Sequence, residues 1–114
     1  MSEPDQLRRA EVHQLGISAG LLIEQPGGGW IFTYREDYDG PPISLTMPVR
    51  AERYEFPALP PVFEGLLPEG LQLESLLKTH KIDRHDTFRQ LVTVGSDLVG
   101  SLTVREMESQ EEGD

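Results

Sequence analysis

Apolar residues change their spacing twice along this chain, and that limits the folds open to it. Ile17, Ala19, Leu21 and Ile23 alternate with Ser18, Gly20 and Glu24 within an extended-looking stretch from Glu11 to Tyr34. That period of two belongs to a half-buried strand. Gln25-Pro26-Gly27-Gly28-Gly29 interrupts it, and Trp30 to Tyr34 resumes it with strand-favouring aromatics. Two strands about a glycine-rich turn predict a hairpin. Ile43, Leu45 and Met47, alternating with Ser44 and Thr46, predict a further short strand that stops at Pro48. The spacing then becomes helical. Leu73, Leu76, Leu77 and His80 stand at i, i+3, i+4 and i+7 and predict a helix over roughly Pro68 to Lys81 with one core-facing stripe. A second helix is predicted from Asp83 as N-cap, with Asp86 in its first turn, Phe88, Leu91 and Val92 as its apolar face and Gly95 at its end. Leu98 to Val104 returns to the strand period, with Leu98, Leu102 and Val104 on one face and Val99 on the other. The predicted class is α+β: a small, mainly antiparallel β-sheet with two helices inserted before the last strand.

Between these elements, Glu36 to Pro42 is turn material, and Arg50 to Pro61, with Pro57, Pro60 and Pro61, reads as a long connection. The whole makes one domain over residues 9–105, a flexible N-terminus over 1–8, and an acidic, disordered tail over 106–114 carrying Glu106, Glu108, Glu111, Glu112 and Asp114.

The charge excludes several classes of function. Twenty acids against ten Lys and Arg give a formal net charge of −10, a field that repels nucleic acid because cations supply most of the affinity for phosphates. No apolar run reaches the roughly 18 residues that a membrane span needs, and acids stand where a signal peptide carries bases. Zero cysteines remove disulfides and thiolate metal sites. A cytoplasmic location is expected, with neither nucleic acid nor membrane as a direct partner.

Chemistry is equally sparse. Gly27-Gly28-Gly29 is followed by a strand, with no lysine nearby, whereas a phosphate cradle opens a helix; the run is expected to be a hairpin turn. His80 lies at the end of a helical stripe and is expected to be partly buried or capping. His85 is flanked by Asp83 and Asp86, but neighbours in a first helical turn do not converge on one metal. No nucleophile elbow appears, and no lysine, aspartate and glycine set of the kinase type. Catalytic residues, cofactor and metal are therefore all expected to be none.

Ile43 to Pro48, Phe63 to Glu69 and Phe88 to Leu102 resemble, in that order, three segments of the N-terminal subdomain of HipA-type serine/threonine kinases. Ile43-Ser44-Leu45-Thr46-Met47-Pro48 is similar to the family's S-L-S-[LM]-P segment. Phe63-Glu64-Gly65-Leu66-Leu67-Pro68-Glu69 resembles its F-x-x-L-L-P-[DE] signature. Phe88 to Leu102, with Gly95, Asp97 and Gly100, resembles its F-x-L-L…G-x-D-x-x-G-A stretch. HipA kinases continue for several hundred residues beyond this subdomain, and this chain ends in acids. The resemblance therefore implies a free-standing HipS-like antitoxin of a tripartite HipBST system. Its implied partners are a HipA/HipT-like serine/threonine kinase and, in a ternary complex, a helix-turn-helix HipB-like protein. Alternatives left open are a structural or activating subunit that completes a split kinase, an acidic nucleic-acid mimic, and a small enzyme.

The candidate partner-binding residues are Leu66, Leu67, Pro68, Glu69, Gly70 and Leu71. On a helical wheel Leu71 falls opposite Leu73, Leu76, Leu77 and His80, among Glu74, Ser75 and Lys78. Leu71 is therefore expected to be exposed and Leu76 to be core. An aspartate at position 71 should spare the fold, and one at position 76 should unfold it.

Overall fold

A computed structural model of the chain describes residues 7–95 and 102–107. Its elements are β1 (Arg9–Gln14), β2 (Ile17–Glu24), β3 (Trp30–Tyr34), β4 (Tyr54–Phe56), α1 (Pro61–Glu64), α2 (Gly70–His80), α3 (Thr87–Gly95) and β5 (Leu102–Met107). The strands form one antiparallel sheet in the order β4-β3-β2-β1-β5. The expected α+β class holds, with the helices between β4 and β5 and the closing strand paired to the first.

The glycine-rich turn joins β2 to β3 as predicted, but the buried face of β2 differs. Val12 opposes Gly20 and His13 opposes Ser18, so Ala19 is the extra residue of a β-bulge. A bulge shifts the phase of the pleat. Ala19 is therefore buried, Ile17 is exposed, and Leu22 rather than Leu21 or Ile23 enters the core opposite Phe32. Leu21 and Ile23 are half-buried. Gly20 is required there, because a Cβ would overlap the Thr33 carbonyl oxygen and come within 2.7 Å of the Phe32 ring.

The core face carries Ala10, Val12, Leu22, Phe32 and Val104, all fully buried. Phe63 from α1 and Phe88, Leu91 and Val92 from α3 cover it. The Trp30 and Phe88 rings stack at 6.3 Å with planes 15° apart. α3 starts later than predicted. Asp86, not Asp83, caps it, since the Asp86 carboxylate accepts the Arg89 N–H at 3.1 Å while Asp83 accepts the His85 N–H one turn earlier. Gly95 does more than end the helix: a Cβ there would sit 2.8 Å from the Val104 Cβ, so the glycine lets α3 approach β5.

Two short elements lie in stretches read as connections, namely β4 in the 50–61 segment and α1 beginning at Pro61. Three and four residues between prolines are too few to display a period. Conversely, the strand expected over Ile43 to Met47 is a turn. Ile43 and Met47 are buried, Leu45 is not, and the Met47 N–H donates to the Ser44 carbonyl at 3.0 Å. The cause is Tyr34, whose hydroxyl accepts the Ile43 N–H at 3.0 Å and donates to the Met47 carbonyl. One side chain thereby occupies backbone groups that a strand would have paired. Burial pushes the Tyr34 hydroxyl above its ordinary pKa, which keeps it a donor. Tyr34→Phe leaves both backbone groups without this partner, and the expected loss is about 2 kcal/mol in urea unfolding. A loss under about 0.5 kcal/mol would show that the loop does not depend on this clamp.

The chain ends also depart from expectation. Arg8, assigned above to a flexible segment, pairs with Glu24 at 2.7 Å and Asp86 at 2.9 Å and lies 4.7 Å over the Phe88 ring. Glu106 and Met107, assigned to the acidic tail, belong to β5, and Glu106 pairs with Arg89 at 2.7 Å. Residues 1–6, 98–101 of the expected last strand and 108–114 of the tail lie outside the described residues.

Candidate partner-binding surface

Residues 60–71 form a short path from the core to solvent. Pro60 and Phe63 are fully buried. Pro61 is the first residue of α1, where its missing N–H costs nothing. The turn continues beyond the helix through Leu66 N–H to the Phe63 carbonyl at 3.0 Å and Leu67 N–H to the Glu64 carbonyl at 3.1 Å. Leu66 and Leu67 are half-buried and pack on the core cluster, and Pro68 is half-buried beside them.

Glu69, Gly70 and Leu71 are exposed. Glu69 is extended (φ −129°, ψ 164°), and its carboxylate makes no capping hydrogen bond at the start of α2. Gly70 has φ +60°, a left-handed conformation that a side chain disfavours. It turns the chain sharply into the helix. Leu71 follows with 87% of its surface in water. The six candidate residues thus divide into an inner half, Leu66 to Pro68, braced by the core, and an outer half, Glu69 to Leu71, that projects from it.

α2 itself is less deeply seated than its periodicity implies. Only Leu77 of the stripe is buried, Leu73 and Leu76 are half-buried, and His80 is exposed rather than partly buried. Leu77 lies outside the main core cluster. It lines a recess with Ile82, Lys78 and Arg84, below a left-handed Lys81 that ends the helix. The Ile82 N–H returns to the Leu77 carbonyl at 2.9 Å, a Schellman-type closure with its usual apolar contact. Arg84 pairs with Glu74 at 2.7 Å across this recess and holds the Glu74 carboxyl below the usual carboxylate range. Burial of α2 stops at its own small satellite, so His80, at the far end, reaches water.

No group of His, Cys, Asp and Glu able to hold a metal ion exists among the described residues. No helix among them is long and apolar enough to cross a membrane.

This architecture has a solved counterpart. The N-terminal domain of HipA toxin aligns with a TM-score of 0.73 and 32% identity, over 96% of this chain and 100% of that one. Residues 10–105 match the family described as HipA N-terminal domain. The chain belongs to the HipA N-terminal domain family. An uncharacterized protein of Haemophilus influenzae (strain ATCC 51907 / DSM 11121 / KW20 / Rd) is 33% identical over 102 residues, which are 90% of this chain and 95% of that protein. A HipA N-terminal domain is a non-catalytic subdomain of the kinase.

In this HipA N-terminal domain Leu45, whose alternation with its neighbours predicts a strand, stands on a turn, 97% exposed. The available signal was the pair of hydroxyls around it, Ser44 and Thr46, residues that favour turns by bonding their own backbone.

Proposed function

We propose that this HipA N-terminal domain binds a HipA-type serine/threonine kinase in trans and restrains it, in the manner of a HipS-like antitoxin. The observation that carries this reading is the domain-long match to the N-terminal domain of HipA toxin. The Haemophilus relative, matched over 95% of its length, supports the free-standing form, since almost nothing of it is left for a kinase body. Leu66 and Leu67 brace the contact from the core side, and Glu69, Gly70 and Leu71 make it. A rigid helix start that presents one large apolar side chain suits insertion into a cleft. A helix-turn-helix HipB-like protein would supply the DNA contact of a ternary complex, because a chain of net charge −10 gains nothing by touching DNA itself.

The test is co-expression with a HipA-type kinase that lacks its own N-terminal domain. Restored growth, together with a complex that survives gel filtration, is the expected result. Increased toxicity on co-expression would favour the alternative of an activating subunit that completes a split kinase. Absence of any complex would remove both readings.

A further inference from the structure

Leu45 is the most exposed large apolar side chain among the described residues, at 97%. Its exposure is built, not incidental. The turn around it is closed by the Met47 N–H on the Ser44 carbonyl, and the Ser44 hydroxyl accepts the Thr46 N–H at 3.3 Å. Its two shoulders, Ile43 and Met47, are buried, and the Tyr34 hydroxyl bonds the backbone of both. The leucine therefore stands on a turn fixed to the sheet from either side. Such a display returns nothing to folding, since the side chain stays in water. It does lower the ordering cost of association, because the turn is already in place.

The same end of the sheet carries two further aliphatic side chains. β1 ends at Gln14 and β2 begins at Ile17, where β3 also ends, and the Gln14 amide donates to the Pro42 carbonyl at 3.2 Å. In the turn between them Leu15 is 64% exposed, and Ile17 is 61% exposed. Arg35, Asp37 and Asp39 line a recess with Ile17; Arg35 pairs with Asp37 at 3.0 Å, which leaves Asp39 and the exposed Glu36 as the acids of this rim. Apolar knobs with carboxylates around them complement an apolar socket with a basic rim. A second copy of this chain would bring two acidic rims together, and nucleic acid would bring phosphates to one.

We propose that Leu45, with Leu15 and Ile17 at the same end, is a second anchor for the kinase, separate from Leu71, and that it seats in an apolar socket rimmed by basic side chains. This rests on the kinase reading above. It adds a contact that the 66–71 segment does not supply, and it gives the Tyr34 clamp a purpose beyond stability.

The experiment is calorimetric titration of wild type, Leu45→Asp, Leu45→Ser and Asp39→Lys against a HipA-type kinase lacking its own N-terminal domain, with thermal melts of each protein. Both Leu45 variants should melt within about 3 °C of wild type and bind at least about tenfold more weakly. Asp39→Lys should also bind more weakly, through the rim. Wild-type affinity in both Leu45 variants overturns the second anchor while the kinase reading stands. Unchanged or tighter binding by Asp39→Lys overturns the basic rim. No binding by wild type overturns the kinase reading and this anchor with it. A wild-type dimer in sedimentation that Leu45→Asp dissociates would show that the patch serves self-association, and would overturn the proposal.

Discussion

Phe88→Ala is expected to cost roughly 3–5 kcal/mol of folding stability, the range for removing a buried aromatic ring from a packed core. Phe88 is fully buried, its ring stacks on Trp30, and the Arg8 guanidinium lies over it. The truncation therefore removes the transferred apolar area, leaves a cavity under α3, and takes away the seat of Arg8, which also holds Glu24 and Asp86. A domain of this size has about 5–15 kcal/mol in all, so the variant should unfold partly at 37 °C. Urea denaturation of both proteins measures the loss. A cost below about 1.5 kcal/mol would show that α3 repacks over the gap. Leu76→Asp is the informative contrast. Helical periodicity makes Leu76 a core residue whose replacement unfolds the domain, yet it is half-buried and outside the main cluster. The expected cost is accordingly below that of Phe88→Ala, because the aspartate can turn toward water.

Leu71→Asp is expected to leave the melting temperature within about 3 °C of wild type and to abolish restraint of the partner kinase. Leu71 is 87% exposed, so the fold loses almost no burial. It is also the second residue of α2, where a carboxylate meets the positive end of the helix dipole and is mildly favourable. A loss of binding therefore cannot be assigned to a loss of helix. An interface anchor of this kind carries about 2 kcal/mol or more, roughly thirtyfold in affinity. Thermal melts, a pull-down and growth on co-expression decide the matter together. If the variant melts, binds and protects as wild type does, the contact does not run through the start of α2, and the antitoxin reading must use another face, of which the Leu45 end is the first to test.

Much of this was legible in the residues because it depends on local spacing. The β2–β3 hairpin, the helix after Pro68 though not the depth of its stripe, the apolar face Phe88, Leu91 and Val92, and the α+β order each follow from periods and turn residues that act within a few positions. Leu71 was legible for the same reason, since a helical wheel needs only neighbours. The family signature around Phe63 to Glu69 was local too, and its residues do form one continuous path from core to solvent. Tertiary partners settled the rest. The bulge at Ala19 decided which face of β2 is buried, and it exists because β1 and β2 pair out of step, a property of two strands rather than one. The Tyr34 hydroxyl decided that residues 43–47 are a turn, by taking backbone groups nine and thirteen positions away. Asp86 took the cap of α3 from Asp83, while Arg8 was drawn out of the expected flexible end onto Glu24 and Asp86. The alternation of Ile43, Leu45 and Met47 records which side chains are apolar, but a distant hydroxyl decided that two of them are buried and the third stands in water.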